Sequence, residues 1–314
     1  MDIGAGITFG NGVSITPQPP PPSQKAIFGY GFTTARVSTT NLVSNTGVVS
    51  NDVTGVGTAR LTLRAAGYGT DKAIFGYGNN GSLVSMTNLV SNTGVVATDT
   101  AGVGTARDNL AAAGYGTDKA LFGYGNLGSF TYTSVTNKVS NTGVVATDTT
   151  GVGSVRTRLA ATGYGTDKAI FGYGELANYN PSTITNLVSN TGVVATDTAI
   201  VSSSARLDLT AAIYGTDKAM FGFGELSGSG RVSITNLVSN TGVVAADTAT
   251  VATGRSGLAG AGYGVDTAIF GFGSSGSGVS NITNLVSNTG VLASDTSGIG
   301  TAKNNLAAAS YGLS

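Results

Sequence analysis

Leu306-Ala307-Ala308-Ala309-Ser310-Tyr311-Gly312 is an alanine-rich run near the end of the chain, with no aromatic run after it. Elsewhere such a run leads into one. Leu110-Ala111-Ala112-Ala113-Gly114-Tyr115-Gly116 passes through Thr117-Asp118 into Lys119-Ala120-Leu121-Phe122-Gly123-Tyr124-Gly125. Lys25-Ala26-Ile27-Phe28 is the reverse case, an aromatic run with no alanine-rich run before it. The surplus at one end matches the gap at the other. A ring in which the last strand lies beside the first aromatic strand explains both ends. A solenoid has no reason to arrange this and needs distinct caps.

Outward from these ends, three phrases recur six times each. The aromatic phrase has its Phe at Phe28, Phe75, Phe122, Phe171, Phe221 and Phe270. An Asn-Leu-Val-Ser-Asn-Thr-Gly phrase has its Gly at Gly47, Gly94, Gly143, Gly192, Gly242 and Gly290. The alanine-rich phrase has its Tyr at Tyr68, Tyr115, Tyr164, Tyr214, Tyr263 and Tyr311. Within a unit the signals are strand and turn. Asn92-Thr93-Gly94 sits between Thr87-Asn88-Leu89-Val90-Ser91 and Val95-Val96-Ala97, a hairpin with Gly in the left-handed position. Gly recurs in every apolar segment and costs a helix about 1 kcal/mol each time. Four short strands in each unit predict a β-propeller blade. The expected fold is all-β: a six-bladed β-propeller over residues 25–314, closed by its C-terminal strand, with an extended N-terminal arm over residues 1–24. The alanine-rich strands belong innermost, where blades converge, and the larger apolar side chains belong between blades.

Composition narrows the function. The 314 residues include 49 Gly, 16 basic and 16 acidic residues, and no His, Cys or Trp. Cysteine and histidine metal sites, disulfides, thiol nucleophiles and Ser-His-Asp machinery are excluded. Balanced charge argues against nucleic acid as a partner. No apolar run reaches the ~20 residues of a membrane span. No cofactor is expected, because no Gly-x-Gly precedes a helix or carries a following Lys-Ser/Thr.

A basic residue before an alanine-rich strand, a tight turn, Ile-Phe-Gly-Tyr-Gly, a variable loop and a hairpin together resemble the kelch repeat of β-propellers. The match covers residues 25–314. It departs from kelch in having Gly-Tyr-Gly for the usual Gly-Gly doublet, and in lacking the Trp late in the unit. The near-identical Asn-Leu-Val-Ser-Asn-Thr-Gly-Val-Val wording and low charge also resemble repeat proteins of tailed phages. That second resemblance implies a virion structural protein of the tail or a tail-proximal region, such as a tail fiber, with a role in host attachment.

The charges follow the repeat. Asp52, Asp99, Asp148, Asp197, Asp247 and Asp295 form one series, with Arg60, Arg107, Arg156, Arg206, Arg255 and Lys303 eight or nine residues later. This offset predicts bridges from the last hairpin of a blade to the next inner strand. A ring of carboxylates holding cations is the rival reading, but the dense Asp/Asn/Gly spacing of a Ca²⁺ loop is missing. Asp71, Asp118, Asp167, Asp217 and Asp266 form a second series, the first four each preceding a Lys. The acids outside both series are Asp2, Asp108, Asp208, Glu175 and Glu225. Glu175 and Glu225 follow the aromatic strands of neighbouring units, so a glycoside hydrolase pair is one reading. A solvated polar residue at a strand end is the other.

Length variation gathers between the aromatic strand and the Asn-Leu-Val phrase, on loops that would share one face. Loops on a rigid scaffold carry recognition, so Phe130, Tyr132, Glu175, Tyr179 and Glu225 are candidate contacts for a protein or a host-surface glycan. Residues 7–16 alternate as a strand can, and Pro17-Gln18-Pro19-Pro20-Pro21-Pro22 forms a stiff spacer. Ile7, Phe9, Val13 and Ile15 are candidates for docking by β-augmentation onto other virion proteins. The expectation is a non-enzymatic virion protein, with a glycan-binding adhesin as the alternative.

Overall fold

The computed structural model describes residues 24–200 and 203–312, together with the backbone of two short strands at 7–8 and 14–15. The chain is all-β, with a single 3₁₀ turn at Ala177–Tyr179 among the described residues.

Six antiparallel sheets repeat one plan. In the second sheet Arg64–Tyr68 pairs with Lys72–Gly76, which pairs with Thr87–Val90. The third sheet is Ala111–Tyr115, Lys119–Asn126 and Tyr132–Val139. The fourth is Ala160–Tyr164, Lys168–Gly172 and Ile184–Val188. The fifth is Thr210–Tyr214, Lys218–Gly222 and Thr235–Val238, and the sixth is Ala259–Tyr263, Thr267–Gly271 and Thr283–Val286. The first sheet takes its inner strand from the far end of the chain. Ala307–Tyr311 pairs with Lys25–Phe32, setting Ala308 opposite Phe28 and Tyr311 opposite Lys25, and Arg36–Val43 follows.

The fourth strand of each unit is mostly reduced to bridges. Val90 meets Val96 and Thr87 meets Thr100, and only the fourth sheet has a two-residue strand there, Thr198–Ala199. The buried Asn88 donates its amide to the Ala97 carbonyl at 3.0 Å and to Asp99 Oδ1 at 2.9 Å, tying that segment down from within.

The sheets are joined by four sets of contacts, each of which returns to its start. At one end of the inner strands Gly69 donates its N–H to Asp118 O, Gly116 to Asp167 O, Gly165 to Asp217 O, Gly215 to Asp266 O, Gly264 to Gln24 O and Gly312 to Asp71 O. At the other end Asn109 donates to Thr62 O, Arg158 to Asn109 O, Asp208 to Arg158 O, Gly257 to Asp208 O, Asn305 to Gly257 O and Thr62 to Asn305 O. Between sheets, aromatic rings meet: Tyr30 on Phe75, Tyr77 on Phe122, and so on to Phe272 on Phe28, with centroids 4.9 to 5.7 Å apart, edge to face except for the tilted Tyr77–Phe122 pair. Such pairs contribute about 0.5–1.5 kcal/mol beyond area burial.

Phe-Gly is required by that packing. A Cβ on Gly76 would lie 2.7 Å from Phe122 Cζ of the next sheet, so only glycine lets the ring seat. The next residue, Tyr77, takes a left-handed backbone with φ 64, as do its five equivalents. This bulge turns the ring out of its own sheet and under an arginine of the following interface.

That arginine series is the fourth tie. Arg60, Arg107, Arg156, Arg206, Arg255 and Lys303 are fully buried. Arg60 stacks 4.5 Å over the Tyr30 ring and donates to Asn88 Oδ1 at 2.6 Å and to the Tyr77 carbonyl at 2.9 Å. Its acid is Asp99, 3.8 Å away, and not Asp52 eight residues before it. The expected bridge is thus displaced by one repeat. Arg60 leads into the second sheet, so the carboxylate within reach belongs to that sheet's own outer segment. Asp99 also accepts from Thr58 N and Oγ1. Burial raises the proton affinity of Asp99, but these bonds and Asn88 outweigh it and hold the carboxyl below its ordinary value.

Candidate functional site

The six inner strands surround a cavity of about 220 Å³, with alanine and glycine on its wall and Lys72, Lys119 and Lys168 at its rim. A smaller space of about 50 Å³, beside Arg64 and Thr210, lies at the other end of these strands. The molecule therefore has two unlike faces. One carries the tight turns, the Asp–Lys pairs and the Ser-Asn-Thr-Gly hairpin tips, and it follows the repeat closely. The other carries the starts of the inner strands and the variable loops. Bridges such as Asp108 to Asn126 and Thr157 to Glu175 hold these two features side by side.

A cluster of side chains that break the repeat gathers on the loop face. Arg158 occupies the position that Thr62, Asn109, Asp208, Gly257 and Asn305 fill in the other units. Its guanidinium pairs with Asp208 of the next sheet and, at 3.1 Å, with Glu175 Oε2. The other Glu175 oxygen accepts from the Tyr132 hydroxyl at 2.6 Å. Glu175 is 2% exposed and Arg158 is half-buried, so this network links the third, fourth and fifth sheets around a buried carboxylate. Burial would lower the proton affinity of Arg158, but Asp208 and Glu175 outweigh it and hold the group above its ordinary value. Burial, together with the Glu175 carboxylate, pushes the Tyr132 hydroxyl up to about 12. Nearby, Asp108 accepts from Asn126 Nδ2 at 3.1 Å and from Thr62 Oγ1 at 3.3 Å.

Above this network Phe130 and Tyr179 meet edge to face with centroids 5.4 Å apart, although each remains more than 60% exposed. Both take positive φ, 59 and 58, which holds their rings out on loops from adjacent sheets. Tyr179 belongs to a small excursion in which Glu175–Leu176 pairs with Asn180–Pro181. Glu225 lies in the equivalent excursion of the fifth sheet, opposite Arg231, and accepts weakly from Ser256 Oγ at 3.5 Å.

The structure thus brings Phe130, Tyr132, Glu175 and Tyr179 together and leaves Glu225 one sheet further on. It gives Glu175 a binding role inside the fold, with both oxygens engaged. Arg158, which organises the cluster, was not singled out by the sequence reading. Its signal was there, since it stands at a position where no other unit has a basic residue. Of the arm candidates, Ile7 and Ile15 face each other across the ladder formed by Ile7–Thr8 and Ser14–Ile15. Phe9 and Val13 lie outside the described residues. Among the described residues no three acids gather closely enough to hold a metal ion, and no helix is long and apolar enough to cross a membrane. No family model matches this chain, and no curated protein matches it.

Proposed function

We propose that this chain is a non-enzymatic virion structural protein of a tailed phage, in its tail or a tail-proximal region. It is a six-bladed, kelch-like β-propeller, closed by its C-terminal strand, that docks through its N-terminal arm and turns its loop face outward. The observation that carries this reading is the separation of the two kinds of residue. Repeating charged and aromatic groups are spent on ties between sheets, whereas Phe130, Tyr132, Arg158, Glu175 and Tyr179, which depart from the repeat, collect on one face. A glycoside hydrolase would need Glu175 and Glu225 as a working pair, but Glu175 is engaged on both oxygens and Glu225 stands one sheet further on. The chains of contacts that return to their start support six blades. The phage assignment rests on the resemblance of the repeat wording.

The test is incorporation. Particles assembled with a chain lacking residues 1–24 should omit the protein, and normal incorporation would overturn the docking role. A glycan-binding adhesin is the second reading, favoured by the exposed Phe130–Tyr179 pair, since aromatic faces suit sugar rings. On a glycan array the wild-type chain should bind and the Phe130→Ala, Tyr179→Ala double variant should not. Absence of wild-type binding removes this reading and leaves the structural one.

A further inference from the structure

The turn-bearing face carries a feature that the ties between sheets do not use. Val48, Val95, Val144, Val193, Val243 and Val291 stand at the tips of the six outer hairpins, each between 61% and 66% exposed. Their neighbours in each tip have internal duties. The Ser91 hydroxyl accepts from Thr93 N and Val95 N. Gly94 lies so close to Tyr311 that a Cβ there would be 2.6 Å from its hydroxyl. Asn190, Asn240 and Asn288 donate to Asp167, Asp217 and Asp266. The valine side chains have no such duty, yet all six units carry valine. The residue after each, which is largely buried and packs inside, is Leu292 in the last unit. An exposed apolar residue more constant than its buried neighbour points to contact with something outside the chain.

The geometry points to a second copy of this chain: we infer that two molecules pack face to face through their valine crowns. Three observations select that occupant. The crown is repeated six times about one cavity, and a second copy presents the same repetition in matching registers. The face also carries the Asp71–Lys72, Asp118–Lys119, Asp167–Lys168 and Asp217–Lys218 pairs, with N···O distances of 2.7 to 3.0 Å. Each offers a negative and a positive group side by side, so the pattern is self-complementary across a two-fold axis. The formal net charge is zero, so two copies meet without overall repulsion. The area is adequate as well. Six valines exposed to this degree offer about 600 Å² per face, and two faces reach the lower end of the ~1,200–2,000 Å² that stable interfaces bury. The inference needs no virion, but it uses the face on which Gln24, where the arm joins the first sheet, accepts from Gly264 N; sedimentation reads the dimer and particle incorporation reads the arm, so the two fail separately. Face-to-face packing turns the two loop faces outward at opposite ends of the pair.

Sedimentation equilibrium of the full chain at about 1 to 100 µM tests it. Wild type should show a concentration-dependent dimer. Val95→Glu, Val193→Glu, Val291→Glu, altered together on alternate hairpins, should be monomeric throughout, a weakening of about 100-fold or more. The loop-face variant Phe130→Ala, Tyr179→Ala should dimerise as wild type does. Should the glutamate variant fail to fold, by circular dichroism, the isosteric Val→Thr triple variant replaces it, with dimerisation weakened about 10-fold. A wild-type chain that stays monomeric at ~100 µM overturns the inference, including the case in which residues 1–23 cover the crown. So does a folded glutamate variant that dimerises normally.

Discussion

Five of the six interfaces place an arginine under the aromatic ring of the neighbouring sheet, and the sixth uses Lys303. Lys303 is fully buried, donates to Asn41 Oδ1 at 2.8 Å and to Thr39 O at 3.3 Å, and lies 5.1 Å from the Phe272 ring. It sits where the end of the chain meets the first sheet. Burial depresses the ammonium to about 8, which Asp52 only partly offsets. In the unfolded chain a lysine titrates near ~10.4. Between these values the unfolded chain binds more protons than the folded one, so stability rises with pH, at about 1.4 kcal/mol per unit. Below pH ~8 both states are protonated and the slope vanishes. From pH 7 to 9.5 wild type should therefore gain about 2 kcal/mol relative to Lys303→Met, which has nothing to titrate there. Lys303→Arg, whose guanidinium keeps its proton, should track the methionine variant in slope. Urea unfolding followed by far-ultraviolet circular dichroism at half-unit steps gives the comparison. The range stops short of pH 10 because burial pushes Tyr30, Tyr77 and Tyr124 up to about 12. Those hydroxyls ionise first in the unfolded chain, so they remove stability above that point. Parallel curves for wild type and Lys303→Met would show that the ammonium is not held in a desolvated site, and the account of the seam would be wrong.

Removing an arginine within the series should be severe. Arg107→Met leaves Asn137 without its donor and Asp148 without its nearby cation, and should cost about 3–5 kcal/mol in urea unfolding, against little change for an exposed Lys119→Met. Gly76→Ala should cost about 1–3 kcal/mol, because Phe122 must leave its seat. A melting temperature equal to wild type would show that the ring can yield. The six interface carboxyls, of which Asp52 and Asp99 are two, sit below their ordinary value because hydrogen bonds outweigh burial. Their contribution is complete above pH ~4 and is lost as pH falls through the lowered values. Acid titration should therefore give one cooperative unfolding below pH 4, shifted upward in Asp148→Asn.

The strand pattern was legible because each strand carries its own evidence. Phe-Gly-Tyr-Gly reads as an aromatic strand with a distortion, Asn-Thr-Gly as a hairpin tip, and the unmatched Leu306-Ala307-Ala308 as a partner for Ile27-Phe28. Long-range side-chain partners were less legible. The eight-residue step from Asp52 to Arg60 predicted a bridge from one hairpin to the next inner strand, but sequence distance does not reveal that the carboxylate within reach of Arg60 is Asp99, on the outer segment of that next sheet. The role of Asn88 was hidden in a phrase whose repetition looked like hairpin chemistry alone. On the loop face the sequence marked Phe130, Tyr132, Glu175 and Tyr179 by their departure from the repeat. Their meeting depends on how adjacent sheets are set, and Arg158 joins them only because the inner strands start beside the loops.

The contact between Asp52 and Thr301, 249 residues apart, bears on synthesis at the ribosome. Lys25–Phe32 leaves the ribosome well before Ala307–Tyr311, so its edge waits for that later strand. Throughout elongation that strand offers unpaired N–H and C=O groups to any chain nearby. On a crowded polysome the tail of one nascent molecule can fill the vacancy in another, linking them head to tail by domain exchange. Slow translation or high local concentration will favour such entangled products, and the strength of the seam decides how readily they revert.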